Sequence, residues 1–143
     1  MSVTDRPTSP YSLSVSHLDA DSFATTGTRS FFAYRDLGIL AATNGEFNAQ
    51  HVRALPGEHG TTGWHYHPLA LQIVYCLRGW EDIAFEDGSL VRLAAGTCVN
   101  IPPGVGHNEL AYSDDFEALV LWAPEEFETV SIPGPDPAAS SNR

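Results

Sequence analysis

The sequence predicts an all-β domain. Short runs rich in Val, Ile, Leu, Phe and Tyr recur along it, Gly, Pro, Asn and Asp divide them at near-even intervals, and helical periodicity is scarce. Many short strands spaced in this way belong to an antiparallel sandwich or barrel.

Taken in order, residues 1–10 combine Ser, Thr and Pro and are expected to form a disordered tail. "HLDADSFA" at 17–24 predicts one or two helical turns, with Ser16 as a cap. Strands are expected in "FFAYRDL", "FNAQHVRAL", "LQIVYCLRGW", "EDIAFED", "SLVRLAAG", "CVNIP" and "FEALVLWAP". Within "FEDGSLV", Asp87-Gly88 suits a two-residue type I′ hairpin turn. Residues 133–143, "PGPDPAASSNR", carry three prolines and small polar residues and are expected to form a second disordered tail. One domain over 11–132 is the expectation.

Composition narrows the function. With 43 % hydrophobic and 17 % charged residues, the 143-residue chain reads as globular, and no apolar run is long enough to cross a bilayer, so a membrane partner is not expected. Net charge is −11, and the seven basic residues are scattered; a phosphate backbone requires a basic face, so nucleic acid is not expected as a partner. The N-terminus lacks the basic start and apolar stretch of a secretory signal, which makes a cytoplasmic protein the expectation. Cys76 and Cys98 are then expected to be reduced, buried thiols.

"GTTGWHYH" places His65 and His67 two residues apart, so on a strand both would project from one face. Further along, "PPGVGH" delivers His107 after a rigid Pro-Pro-Gly turn. Three histidines from two separated strands match a three-nitrogen metal site that leaves positions open for water or substrate.

Those residues carry a family resemblance. "HYHPLALQIVYCLRG" has His65, His67, four residues, Gln72, six residues and Gly79; Gly96 is followed by Pro102, Gly104 and His107. These spacings resemble the two motifs of the cupins, G(X)5HXH(X)3–4E(X)6G and G(X)5PXG(X)2H(X)3N. Over about residues 45–123 the chain looks like a small single-domain cupin of the RmlC-like type. The resemblance implies a double-stranded β-helix, or jelly-roll barrel, with a metal in its mouth. Three departures stand out: Gly60 lies only four residues before His65, Ala111 replaces the terminal asparagine, and Gln72 replaces the glutamate.

The last changes the chemistry. A neutral amide leaves the site more electropositive than a carboxylate would, favouring an anionic ligand such as hydroxide, an enolate or a carboxylate. Gln72 either coordinates weakly, hydrogen-bonds a water or substrate, or only lines the pocket. Strict strand parity does not put His67 and Gln72 on one face, so a bend around Pro68 is required. If Gln72 faces inward, so do Val74 and Cys76. Glu109 follows His107 by two and would share its face, as a base or as a group orienting an imidazole. His51 could enter the pocket but reads as packing or surface, His59 as a solvated loop residue and His17 as exposed, while Trp64, Tyr66, Tyr75, Trp80 and Trp122 are candidates for the pocket wall or the opposite face.

The expected function is that of a metal-dependent enzyme acting on a small organic molecule, with His65, His67, Gln72 and His107 as the ligand set. Fe(II) is the favoured ion, with Zn, Ni or Mn as alternatives, and dioxygen-dependent cleavage of a dicarbonyl is the leading chemistry. A redox-neutral isomerase or lyase and a non-catalytic binding or sensing module are the rivals. A homodimer is expected by analogy, with "FFAYRDLGIL" as an added edge strand.

Overall fold

The computed structural model describes residues 6–25, 27, 29–57, 59–124 and 128–135, so much of both expected tails lies outside the described residues. Along the chain run β1 (Phe32–Asp36), α1 (Ile39–Ala42), β2 (Asn48–Ala54), β3 (His65–Tyr66), β4 (Leu71–Arg78), β5 (Trp80–Phe85), β6 (Leu90–Ala94), β7 (Cys98–Asn100), β8 (His107–Tyr112), β9 (Glu117–Ala123) and β10 (Val130–Ser131). They form two five-stranded sheets, ordered β1-β2-β9-β4-β7 and β10-β3-β8-β5-β6. Every strand pair is antiparallel, and the chain crosses repeatedly between the sheets, as a jelly roll requires.

All seven expected strands form. The sequence reading missed β3, β8 and β10: β3 and β10 are two residues long, and the inward positions of β8 are His107 and Glu109, so no apolar alternation marks it.

Local chemistry accounts for the corrections. The segment near 17–24 makes only a single 3-10 turn, Ala20–Ser22, capped by Asp19, whose carboxylate accepts the Asp21 N–H at 3.0 Å. Ser16 instead accepts a hydrogen bond from the Arg35 guanidinium at 2.9 Å. The unforeseen helix α1 starts at Gly38, whose φ of 77° is open to glycine at little steric cost. The β5–β6 hairpin closes through three residues rather than two. The Gly88 N–H donates to Phe85 O at 3.0 Å, the Phe85 N–H to Ser89 O at 2.9 Å, and of Asp87 and Gly88 only Gly88 has a positive φ. That is a type I turn followed by a left-handed glycine, held by Asp87 accepting the Ser89 N–H at 2.8 Å.

The inner faces of the sheets make the core. Cys76, Ile83 and Leu93 are fully buried and pack with Phe32, Val52, Tyr112 and Phe116. Burying a side chain such as Leu93 contributes about 2 kcal/mol relative to exposure. A register shift in β8 lies between Ile83↔Glu109 and Asp82↔Ala111, leaving Leu110 as the extra residue. The bulge resets the pleat, so that Glu109 faces the interior and Tyr112, three residues later, is buried as well. Both cysteines are free; Cys76 is buried as expected, but Cys98 is exposed on the edge strand β7. Among the described residues no helix is long and apolar enough to cross a membrane.

Candidate metal centre

Two turns aim the histidines. Gly63 takes φ 72° just before Trp64-His65, and the turn Pro102–Val105 closes with the Val105 N–H on Pro102 O at 3.3 Å and Gly104 at φ 78°. Proline second and a left-handed glycine third are the residues of a type II turn. The Gly104 N–H also donates to His67 O at 3.2 Å, tying the two histidine segments together. His65 and His107 are then direct cross-strand partners on β3 and β8, with His67 immediately after β3.

The three rings converge. Their centroids lie 4.4 to 5.7 Å apart, and one ring nitrogen from each falls within 4.8 Å of the others. Each Nδ1 faces a backbone carbonyl: His65 that of Gly63 at 2.8 Å, His67 that of Glu128 at 3.1 Å and His107 that of Val105 at 3.0 Å. With its proton on Nδ1, each imidazole turns the Nε2 lone pair toward the shared space. Burial lowers all three pKa values, that of His65 to about 4, so the donors are neutral near pH 7. Three buried, neutral nitrogens with fixed tautomers fit a divalent ion and leave coordination positions open. Glu109 was expected as a possible orienter of an imidazole, but backbone carbonyls hold the rings.

The donors border a cavity of about 790 Å³, its open mouth included, between the sheets. Gln72 lines it from β4, in the sheet opposite His65, and stands in register with Trp122. The bend expected at Pro68 is a crossing from one sheet to the other, so strand parity between His67 and Gln72 does not apply. Val74 and Cys76 face inward with Gln72, as the period of two requires. Of the five candidate aromatics, Trp122 lines the cavity; Tyr75 is exposed, and Trp80 lies under the Arg92 guanidinium at 4.0 Å.

Glu109 lines the cavity and forms a hydrogen-bonded pair with Glu81, a residue the sequence reading did not single out. Glu81 is 1 % exposed, and its Oε2 is buried without a hydrogen-bond partner. Burial raises the pKa of both carboxyls, that of Glu81 strongly. The signal for Glu81 was its parity: it alternates with Ile83 and Phe85 on β5 and so points inward. Tyr34 and Arg29 also line the cavity; burial pushes the Tyr34 hydroxyl up to about 12. Nothing in the sequence marked Arg29, which precedes β1.

The remaining histidines lie elsewhere. His51, on the outer face of β2, pairs with Glu117 at 2.9 Å and packs on Phe23. His59 is exposed and pairs with Asp114 at 3.0 Å. His17 is exposed, and its carbonyl accepts from Arg35.

Residues 50–124 match the family described as "Cupin domain". The uncharacterised protein YjlB of Bacillus subtilis is 39 % identical over 57 residues, covering 38 % of this chain and 34 % of that protein, so the match spans about a third of its length. The polyketide cyclase RemF of Streptomyces resistomycificus superposes with a TM-score of 0.66 at 17 % identity, over 91 % of this chain and 94 % of that one. The DMSP lyase DddQ of Ruegeria pomeroyi gives 0.55 at 26 % identity, over 85 % of this chain and 59 % of that one. The domain match runs from within β2 to the end of β9, and all three histidines fall inside it: this chain belongs to the cupin family.

Proposed function

We propose that the chain is a metal-dependent enzyme that moves a proton at carbon in a small carbonyl compound, as an isomerase or lyase does. The observation that carries this reading is the Glu81–Glu109 carboxyl pair on the same cavity wall as the histidine triad. His65, His67 and His107 would hold a divalent ion, with Gln72 facing the same cavity, and the ion would supply Lewis-acid polarisation of a substrate oxygen. The apolar walls, among them Leu69, Val74 and Trp122, exclude water from the bound molecule. Glu109 faces the cavity as a proton acceptor, and Glu81 behind it shares the proton. The DMSP lyase whose fold this chain shares is, by its name, a lyase, in keeping with this chemistry.

The second reading is dioxygen-dependent cleavage of a dicarbonyl with Fe(II). The neutral donor set favours it, because three imidazoles and an amide leave the ion's charge to be balanced by an enolate. A homodimer fits either reading, but not by simple strand addition at β1, whose outer edge is already bridged at Tyr34 by Ala24 of the same chain.

The test begins with metal content. Protein loaded with Zn(II), Mn(II) or Fe(II) should hold close to one ion, and His107→Ala should hold almost none. Loaded protein is then incubated in D2O with pyruvate and with acetylacetone. Deuterium entering the methyl carbon of pyruvate faster than in protein-free buffer, with the acceleration lost in Glu109→Gln, supports proton transfer; oxygen uptake with acetylacetone supports the second reading. Neither signal, with full metal content, leaves a binding module.

A further inference from the structure

The cavity wall holds one cation among the described residues, Arg29. The other arginines with contacts in the structure are used elsewhere: Arg35 on Ser16 and the His17 carbonyl, Arg53 over Phe23, Arg78 toward Asp115 and Arg92 on Asp82. In a chain of net charge −11, a guanidinium placed in the site rather than on the surface is an unusual use of a scarce charge.

Its placement is built. The Arg29 N–H donates to the Tyr34 hydroxyl at 2.9 Å, and the Arg29 carbonyl accepts the Phe32 N–H at 3.3 Å, so the backbone is held against β1 at both peptide groups. Among the described residues, no carboxylate oxygen lies within 4 Å of the guanidinium, and the nearby carboxyls of Glu81 and Glu109 interact with each other. Arg29 lines the same cavity as His65, His67, His107 and Glu109, which places it beside any ligand held there.

We propose that Arg29 is the anion anchor of the cavity, and that the substrate is a small carboxylate whose charged end pairs with this guanidinium while a second oxygen points to the histidine triad. This names a substrate class for the proposed enzyme and rests on that reading. A planar guanidinium matches a carboxylate with two parallel hydrogen bonds, and the apolar walls strengthen the pair by keeping water out. Gln72 acts in the same direction, since a neutral side chain there competes with no anion.

Malonate and its uncharged counterpart malonamide test this on the full chain by calorimetry, with and without Zn(II). Malonate should bind the Zn(II)-loaded protein at least about tenfold more tightly than malonamide. Arg29→Gln should abolish that preference in the metal-free protein and markedly reduce it in the Zn(II)-loaded protein, where the ion itself still favours the anion, while Zn(II) content stays at the wild-type level; Arg29→Lys should retain part of it. If Arg29→Gln fails to fold, the lysine variant carries the test, since a point charge without the fork should weaken malonate and leave malonamide unchanged. Equal binding of the two probes, no malonate binding at millimolar concentration, or an intact preference in Arg29→Gln would overturn the proposal. Failure of the enzyme reading looks different: the protein would take up no Zn(II), or take it up and show neither deuterium exchange nor oxygen uptake, while a malonate preference dependent on Arg29 would persist in metal-free protein.

Discussion

Acid should destabilise the metal-free protein through His65 in a way that one substitution isolates. The ring is 2 % exposed, and burial lowers its pKa from 6.5 to about 4. Unfolding restores the higher value, so between the two the unfolded chain binds a proton that the folded chain does not. The stability tied to His65 is therefore complete above pH 6.5 and is lost as pH falls toward about 4. For one group with these two pKa values the loss is about 2 kcal/mol at pH 5 and about 3 kcal/mol at pH 4. Glu81 and Glu109 act with the opposite sign, because a raised carboxyl pKa adds stability as pH falls. Their contribution is common to wild type and His65→Gln and drops out of the difference. Urea unfolding followed by tryptophan fluorescence, with chelator present, should show wild type losing about 2 kcal/mol relative to His65→Gln between about pH 7.5 and about pH 5. A gap constant to within about 0.5 kcal/mol would refute the burial argument.

Three further outcomes are expected. Glu81→Gln should raise stability at about pH 8 and change it little at about pH 4, because it removes a buried carboxyl whose ionisation opposes folding; urea midpoints at the two values check this. The same variant should slow deuterium exchange into pyruvate by at least about tenfold, which a purely structural Glu81 would not. Leu93→Ala should cost about 3 kcal/mol in urea unfolding, because Leu93 is fully buried in the core between the sheets, and should leave metal content unchanged in the protein that stays folded.

The sequence by itself determined the fold class, most strands and the identity of the triad. Strand composition and turn residues act locally, so β1, β2, β4 to β7 and β9 were legible from short windows. His65, His67 and His107 were legible because the spacing of glycines and prolines around them sets turns, and turns aim side chains. Only the tertiary structure decided which groups share the cavity. The crossing at Pro68 puts Gln72 on the sheet facing His65, a relation that no parity rule within one strand reaches. The bulge at Leu110 is one residue in the pairing of β8 with β5, and it decides that Glu109 and Tyr112 both face inward. Glu81 and Arg29 become part of the site through contacts between segments far apart in the chain, and such contacts leave no mark on the local patterns from which strands and turns are read.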